Sequence, residues 1–511
     1  MANSWVLNGV PVESPDGETI LATARKAGVE VPSLCWSDSC GGQVRCMVCS
    51  VEDESSSRLL PACATIPQSG MRILTASPKV LSHRQTTLGW LLGEHRGDCL
   101  APCHLACPAG LDVPMVLGSM AQGGVTMARA ALASQLALSE VMGYLCDAPC
   151  EKVCHRGRVD ESVAIRSFER LPIAMAECAP RPEKALRIVV VGGGVSGLAS
   201  AEYLALGGVK VSILEAGDRL GGSLLAAVAA AKLPEKVLDR ALSRLKSLGV
   251  ESQVGQFIKT SELNSLQARF DAVVLATGAA PDAEDRSTPA QQTVEEPEAK
   301  DPQGMANRYV VGGALRGKRS LAAHIGDARR VAALILGQPL PIFTVRFSTS
   351  ILPMARDEWP PLMNRLNPGG SVLPRLKIGE APQSDDLASE SERCLQCSCS
   401  ALDSCSLRKQ AIAEQVRPVR GGGRRQIGRR QDHSRLVFES GKCIACGLCV
   451  ARCLDWPELP GLGWHGRGTR LTVQPPPGIT LEEAVGEHCV ELAQECPTGA
   501  LMLMPARPRQ P

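Results

Sequence analysis

The chain has 511 residues, enough for three or more domains, and a formal net charge of only +2. A charge so close to zero gives no reason to expect nucleic-acid binding. The 22 cysteines lie in tight groups, which indicates metal or cluster sites more than a disulfide framework. We see neither a basic start followed by an apolar run nor a long uncharged apolar stretch. We therefore expect a cytoplasmic protein without a membrane span.

Residues 1–85 predict two strands joined by a turn at Asn8-Gly9, followed by an amphipathic helix that ends at Gly28. A cysteine-rich stretch comes next, with ten, two and thirteen residues between its four predicted ligands. Four thiolates are what a [2Fe–2S] centre requires. Cys40 competes for a place, but the plant-type spacing it imitates would need a cysteine at Gln43. The predicted ligands are Cys35, Cys46, Cys49 and Cys63.

This order of hairpin, helix and cysteine loop resembles the β-grasp ferredoxins. The cysteine spacing is similar to that of the [2Fe–2S] domain in the large iron–sulfur subunit of respiratory complex I. Related hydrogenases and formate dehydrogenases share it. The resemblance implies an electron-transfer domain, and the alternative is a set of structural cysteines that only fill the core.

Residues 86–180 contain two triplets in which a cysteine recurs at every fourth position. Side chains at this spacing share one helical face, although Pro102 and Pro149 favour short turns. Neither triplet supplies four ligands, so we predict that the two face each other and hold two [4Fe–4S] clusters. Buried structural cysteines or disulfides are the alternative. The triplets are Cys99, Cys103 and Cys107, and Cys146, Cys150 and Cys154.

The triplet region resembles the N-terminal cluster domain of the glutamate synthase small subunit and of dihydropyrimidine dehydrogenase. The resemblance implies that ligands from the two triplets interleave. One cluster would then take His95, Cys99, Cys103 and Cys154, and the other Cys107, Cys146, Cys150 and Glu169. Histidine stands where that family has a cysteine, but relatives of complex I have a site with one histidine and three cysteines here. A structural or solvated histidine is the alternative.

Residues 186–340 predict a strand, a glycine turn, a helix and a second strand that ends in Glu215. The turn has the pattern G-x-G-x-x-G, formed by Gly192, Gly194 and Gly197. Such a turn lets a pyrophosphate approach the N-terminus of the helix. The carboxylate of Glu215 can then accept a hydrogen bond from a ribose hydroxyl.

The stretch after Glu215 and the strand before Gly278 resemble the FAD half of the glutamate synthase small subunit. That family inserts a complete NAD(P) domain after this strand, whereas only about thirty residues separate Gly278 from Tyr309 here. We therefore expect no NAD(P) site. Ala314 replaces the aspartate of the closing GGD motif, and residues 224–234 lack an arginine and a proline found near the flavin ring. FAD binding stays open, and a Rossmann scaffold without flavin is the alternative.

Residues 341–390 are proline-rich and predict a linker. Residues 391–435 then hold four cysteines within twelve positions and a basic glycine run. The thiols could bind a further [4Fe–4S] cluster or a zinc ion. The basic run indicates a linker or a docking strip. The four cysteines are Cys394, Cys397, Cys399 and Cys405.

Residues 436–511 carry a C-x2-C-x2-C run and a distant Cys-Pro, as in bacterial ferredoxins. This pattern predicts one more [4Fe–4S] cluster, and it resembles the corresponding segment of the complex I large subunit. Cys453 and Cys489 are left without a predicted role. The predicted ligands are Cys443, Cys446, Cys449 and Cys496.

The predicted fold class is multidomain α+β and α/β. We expect an electron-transfer subunit of a multisubunit oxidoreductase, which relays electrons through about five iron–sulfur centres and, if it is bound, FAD. No catalytic residue is predicted, because the substrate site would lie on a partner such as an NADH-oxidising flavoprotein or a molybdenum or nickel–iron subunit. The alternatives are a self-contained flavoprotein oxidoreductase of the glutamate synthase small-subunit type and a non-redox assembly scaffold.

Overall fold

The computed structural model describes residues 3–97, 99–158, 160–173, 184–278, 307–316, 320–338, 375, 377, 383–399, 401–419 and 428–503. These residues form two compact units. Unit 1 takes the described parts of 1–100 and 397–511, and unit 2 takes those of 101–346 and 372–396. Most of the predicted 341–390 linker, and residues 420–427 of the basic run, lie outside the described residues.

The N-terminal part of unit 1 is a mixed five-stranded sheet that covers the helix Ile20–Lys26. The predicted hairpin is present, since its two strands pair antiparallel and Asn8 and Gly9 turn with φ of 50° and 85°. Trp5 and Leu21 lie in its apolar core. In sheet order the strands are Val10–Ser14, Asn3–Leu7, Arg72–Leu74, Ser50–Asp53 and Arg58–Pro61.

A long helix, Pro78–Glu94, follows this sheet and begins where the Ser77 side chain accepts a backbone hydrogen bond. Arg84 of the helix is buried and forms an ion pair of 2.9 Å with Glu414. Glu414 directly follows the helix Ser406–Ala413. The pair therefore joins the N-terminal and C-terminal parts of unit 1.

The C-terminal part of unit 1 contains two small sheets and three short helices around a separate apolar core. Strand Leu436–Glu439 is central in the larger sheet and pairs with Leu501–Leu503. The remaining strands of this part are Arg429–Arg430, Gly463–His465 and Thr472–Gln474. In the N-terminal part, the two-residue strands Trp36–Ser37 and Gly41–Gly42 form a further small sheet. The helices are Leu448–Arg452, Leu481–Val485 and Cys489–Glu495.

Unit 2 begins with helices that carry the two cysteine triplets. Two of them are short and have proline in the first turn, as the sequence predicts. Gly124, with φ of 70°, interrupts the one long helix. The helices are Pro102–Ala106, Val113–Gln135, Ser139–Leu145, Pro149–Lys152, Ile165–Glu169 and Ser384–Glu392.

The rest of unit 2 is a parallel five-stranded sheet with helices, the arrangement predicted for residues 186–340. In sheet order the strands are Glu251–Gln253, Lys210–Leu214, Arg187–Val191, Ala272–Leu275 and Arg308–Val310. The helices are Val195–Leu206, Ser223–Ala229, Glu235–Ser247, Leu263–Arg269, Gly313–Arg316 and Leu321–Leu336.

The helix Leu321–Leu336 packs directly on the chain that follows Cys107. Arg329 donates to the carbonyls of Ala109 and Gly110 at 3.1 and 2.7 Å. A side chain at Gly326 would lie 2.0 Å from the carbonyl oxygen of Pro108. The Rossmann part therefore fixes the backbone beside a predicted cluster ligand.

In the part of the chain that the structure describes, none of the helices has the length and apolar character needed to cross a membrane.

We predict that Gly197→Ala lowers the stability of unit 2, because the new methyl would lie 1.9 Å from the carbonyl oxygen of Gly192. Overpacking of this kind costs about 1–3 kcal/mol. Gly194→Ala is the matched control, since its methyl meets no atom within 4 Å. Scanning calorimetry without added nucleotide should show a lower melting temperature for Gly197→Ala alone. Equal melting temperatures for the two variants would contradict this packing.

Candidate iron–sulfur and nucleotide sites

No disulfide bond joins the cysteines in the described ranges. Within those ranges, no set of three or more His, Cys, Asp or Glu side chains is arranged around a single metal ion. Ligands of a [4Fe–4S] cluster stand further apart than those of one ion, because each binds a different iron atom. The thiols are therefore grouped below by the neighbours that each one meets.

The first group lies in the N-terminal loop and contains the four predicted [2Fe–2S] ligands. Hydrogen bonds from the thiols of Cys46 and Cys63 lower the pKa of Cys35 to about 2. A hydrogen bond from Cys63 also lowers the pKa of Cys49. The backbone N–H groups of Arg45 and Cys46 each lie 3.4 Å from the Cys35 sulfur. Such donors favour a thiolate, so this loop has the chemistry that a [2Fe–2S] centre requires.

The backbone of this loop follows an unusual path around the thiols. Val44 and Met47 have φ of 51° and 55°. A side chain at Gly42 would lie 2.5 Å from the carbonyl oxygen of Cys63 and 3.1 Å from its sulfur. Cys40 is turned away, and its thiol donates to the carbonyl of Leu448 at 3.8 Å. The structure thus separates Cys40 from the four predicted ligands.

The second group lies in the C-terminal module, where Cys443, Cys446, Cys449 and Cys496 line one cavity. The cavity also has apolar walls, formed by Phe438, Ile444, Val473 and Leu501. Burial raises the pKa of Cys449 well above its ordinary value, and the three neighbouring thiols raise it further. Four converging thiols in an apolar cavity fit a [4Fe–4S] cluster.

The first two groups are neighbours within unit 1. The pKa of Cys446 is raised by burial first, and Cys35 is among the thiols that raise it further. Both cysteines belong to a single apolar core. Between the two loops, the guanidinium of Arg45 lies 4.2 Å from the centre of the Trp464 ring and borders Gly447.

The third group, in unit 2, contains Cys107, Cys146, Cys150 and Glu169, as predicted. Burial raises the pKa of each of these thiols, and Glu169 contributes to the rise in all three. Glu169 is itself only 3% exposed, and burial raises its pKa to about 8. Its Oε2 atom has no hydrogen-bond partner among the described residues. A buried carboxylate oxygen beside three thiols fits the fourth position of a [4Fe–4S] cluster.

Two of the remaining predicted ligands have neighbours that their predicted sets did not include. Cys99 lies beside Cys399 and Cys405 in unit 1, and Cys394 lies beside Cys154 in unit 2. The predicted ligand sets that join Cys99 with Cys154, and Cys394 with Cys405, stay predictions. The sequence prediction joined the two triplets to each other, but it did not join either triplet to the segment from Cys394 to Cys405.

Three further residues of these predicted sets are wholly or partly buried. His95 is buried directly after the helix Pro78–Glu94, four residues before Cys99. Cys103 is buried on the helix Pro102–Ala106. Cys397 is half-buried.

Some charged residues near the sites were not found by sequence reasoning. Lys442 lies near Cys99 and lowers the pKa of its thiol, against the larger effect of burial. A side chain at Gly97 would meet the Lys442 stem at 2.8 Å. In the sequence, these roles were indicated only by position, because Lys442 and Arg45 each stand directly before a predicted ligand.

The glycine turn of the Rossmann part has the shape that a nucleotide pyrophosphate requires. Gly192 has φ of 106°, and Gly194 faces open space. Glu215 follows the second strand, and its carboxylate accepts hydrogen bonds from the N–H groups of Gly193 and Gly217. These residues fit the adenosine half of a dinucleotide.

The far end of the nucleotide site is built from Gly312 and its neighbours. Gly312 has φ of 63°, and a side chain there would lie 1.8 Å from the hydroxyl of Ser196. Ala314, half-buried, brings no carboxylate. Gly278 has φ of 82° and faces open space. The loop predicted to replace the NAD(P) domain, residues 279–306, lies outside the described residues.

Comparison with protein families agrees with this order of parts. A 2Fe-2S iron-sulfur cluster binding domain matches residues 4–78. Domain II of dihydropyrimidine dehydrogenase, which carries a 4Fe-4S cluster, matches residues 97–179. An NAD(P)-binding Rossmann-like domain matches residues 190–260. The chain therefore combines iron–sulfur domains of both cluster types with a Rossmann-like domain, as the sequence predicts.

Several oxidoreductase subunits are similar to part of this chain. The NADP(+)-dependent formate dehydrogenase subunit beta of Moorella thermoacetica is 30% identical over 207 residues, 35% of this chain and 29% of that protein. The NADPH-Fe(3+) oxidoreductase subunit beta of Geobacter sulfurreducens is 33% identical over 35% of this chain and 28% of that protein. The glutamate synthase (NADPH) small chain of Mycobacterium tuberculosis is 35% identical over 36% of this chain and 39% of that protein. The chain thus covers less than two fifths of each of these relatives.

We predict that Cys46→Ser abolishes the EPR signal of the [2Fe–2S] centre, because a hydroxyl is a poorer ligand for iron than a thiolate. Cys40→Ser should leave the signal intact, since the Cys40 thiol faces Leu448 instead of the other thiols. The two variants remove the same atom from the same loop region and so form a matched pair. Loss of the signal in Cys40→Ser would show that the ligand set is wrong.

Proposed function

We propose that this chain is an electron-transfer subunit of a multisubunit cytoplasmic oxidoreductase. The observation that carries the proposal is the single apolar core that contains both Cys35 and Cys446. Iron–sulfur clusters held by these two groups of cysteines would be close enough to exchange electrons through packed protein. The relatives named above, all oxidoreductase subunits, support the same class of function.

In this proposal, the first group, which includes Cys35, holds a [2Fe–2S] cluster. The second group, which includes Cys443, holds a [4Fe–4S] cluster. The Cys107 group holds a further [4Fe–4S] cluster, with Glu169 as its fourth ligand. When bound, the clusters supply one-electron redox centres. The chain's own apolar residues exclude water from the thiolates, and the N–H groups of Arg45 and Cys46 stabilise charge on the Cys35 sulfur.

The same proposal divides the chain into modules. Residues 1–85 form a β-grasp ferredoxin and residues 86–180 a helical cluster domain. Residues 186–340 form a reduced Rossmann domain, and residues 436–511 a ferredoxin-like module. The residues between 341 and 435 connect the last two modules and carry four further cysteines. Free, clustered thiols suit a reducing compartment such as the cytoplasm.

The Rossmann domain is proposed to hold the adenosine half of FAD without completing a flavin site. Two observations support binding of the adenosine half: the open space at Gly194, and the Glu215 carboxylate, which a hydrogen bond from the N–H of Gly217 holds in position. The missing carboxylate at Ala314 supports an incomplete flavin site. The segment of about thirty residues between Gly278 and Tyr309 is too short for a second nucleotide domain. Electrons from a pyridine nucleotide would then enter through a partner subunit, such as an NADH-oxidising flavoprotein or a molybdenum or nickel–iron subunit.

A second candidate is a self-contained flavoprotein oxidoreductase, which the similarity to the glutamate synthase small chain favours. A third is a non-redox assembly scaffold with vestigial sites, in which the Rossmann domain would act as a support. The hydrogen bonds from Arg329 to the chain after Cys107 favour that structural role. Iron content well below about four atoms per chain would support the scaffold.

We predict that NADPH alone does not reduce the iron–sulfur centres of the purified, reconstituted chain, because no second nucleotide domain is encoded. Anaerobic titration, followed by the visible absorbance of the centres, measures this. Dithionite should bleach the same sample and serves as the positive control. Rapid bleaching by NADPH without a partner would contradict the proposal and favour the self-contained oxidoreductase.

A further inference from the structure

The short segment from Cys394 to Cys405 belongs to both units. Its first residues continue the helix Ser384–Glu392, which packs on Val113–Gln135 in unit 2. Cys399 and Cys405 belong to unit 1. Four cysteines within twelve residues would form a local site only if the chain curled back on itself. The contacts of the segment show a different arrangement.

Charged residues next to Cys394 fix it within unit 2. Arg393 is 1% exposed and forms ion pairs with Glu390 at 2.7 Å and Asp160 at 3.2 Å. Glu390 also accepts a hydrogen bond from the N–H of Ala164 at 2.9 Å. The guanidinium of Arg156 donates to the carbonyl of Arg393 at 3.3 Å. Arg156 and Asp160 closely follow Cys154 in the chain, so this network places Cys394 at the end of the second triplet.

The thiol of Cys394 lies near the thiol of Cys154. The pKa of Cys394 is raised to about 12, by burial first and then by Cys154 and Asp112. The short helices Pro102–Ala106 and Pro149–Lys152 pack together, which brings Cys103 to the same end of unit 2. The first cysteine of the segment therefore joins the interleaved triplets.

Cys399 and Cys405 are fixed against residues of unit 1. The N–H of Cys399 donates to the carbonyl of Cys99 at 3.1 Å, and the N–H of Leu407 donates to the carbonyl of Pro497 at 3.2 Å. Gly499 leaves room for the Cys399 sulfur, since a side chain there would lie 2.4 Å from it.

The three thiols of this part of unit 1 are neighbours. The pKa of Cys99 is raised to about 12 by burial first, and then by Cys399 and Cys405. Cys99 and Cys405 share the apolar core that also contains Cys446. Cys405 lies near Cys496 as well, because that thiol also raises its pKa. The group thus stands beside the C-terminal cysteine cavity.

We propose that the segment from Cys394 to Cys405 supplies ligands to two different [4Fe–4S] sites. Cys399 and Cys405 join Cys99 in unit 1, with the buried His95 as the fourth ligand. Cys394 joins Cys103 and Cys154 in unit 2. The inference rests on the proposed function, since it assigns ligands to clusters of that electron-transfer chain. It also gives the Cys99 group a position beside the C-terminal cluster.

Serine variants of the full, anaerobically reconstituted chain test the pairing by iron content and EPR. Each of Cys99→Ser, Cys405→Ser, Cys154→Ser and Cys394→Ser should lose about four iron atoms and one [4Fe–4S] signal. Cys99→Ser with Cys405→Ser should lose no more than either alone, because both hold one cluster. Cys394→Ser with Cys405→Ser should lose about eight. Cys489→Ser is the control, since its buried thiol lies outside these groups, and it should retain all iron.

The opposite pattern would overturn the inference. If Cys394→Ser and Cys405→Ser remove the same signal and their combination removes no more, the segment forms its own site and the proposed function stands. A wild-type chain that takes up no iron would instead refute the proposed function. Retention of the [2Fe–2S] signal shows that a variant has folded.

A second measurement needs no variant. Mild oxidation of the iron-free chain, followed by mass spectrometry, should link Cys394 to Cys154 or Cys103, and Cys99 to Cys399 or Cys405. A dominant link between Cys394 and Cys405 would overturn the inference.

Discussion

The apolar core around Cys35, Cys46, Cys99, Cys405 and Cys446 is the constraint on which unit 1 depends. Burial in such a core disfavours a charged thiolate, and it raises the pKa of Cys99, Cys405 and Cys446. Iron binds the thiolate, so each cluster must displace protons as it forms. Cluster binding therefore stabilises a core that would otherwise hold several neutral thiols. It also couples the folding of the distant segments that supply the ligands.

Unit 2 depends on a different interaction, the packing of the Rossmann part against the cluster helices. Glu202 accepts a hydrogen bond from the N–H of Leu138 at 3.0 Å and pairs with Arg244 at 2.8 Å, with both side chains buried. The hydroxyl of Tyr203 accepts from the N–H of Ala137. These contacts fix the chain just before Cys146 whether or not a flavin is bound. They give the Rossmann part a structural role in unit 2 that does not require a bound nucleotide.

Local spacing predicted much of this molecule. Cys46 and Cys49 share one loop, and Cys443, Cys446 and Cys449 share another, so chain connectivity alone places them together. The parallel sheet and the turn at Gly192 follow from equally local patterns. The domain matches confirm the two cluster types and the Rossmann-like domain, while the ligand roles of single residues remain predictions.

The sequence could not predict the partners of Cys99 and Cys394. Cys99 and Cys405 are about three hundred residues apart, and no periodicity links them. The two cysteines share an apolar core, and the ion pair between Arg84 and Glu414 joins the same two parts of unit 1. The network around Arg393 is equally non-local, because its partners lie more than two hundred residues earlier in the chain.

The central claim is that the [2Fe–2S] centre and the C-terminal [4Fe–4S] centre are neighbours in one core. Pulsed EPR of the fully reduced chain tests it through the spin relaxation of the [2Fe–2S] signal. A neighbouring paramagnetic centre speeds relaxation, so the signal should relax faster in the wild type than in Cys449→Ser, which lacks the C-terminal cluster. Identical relaxation in the two proteins, with the C-terminal cluster present and reduced in the wild type, would contradict the account.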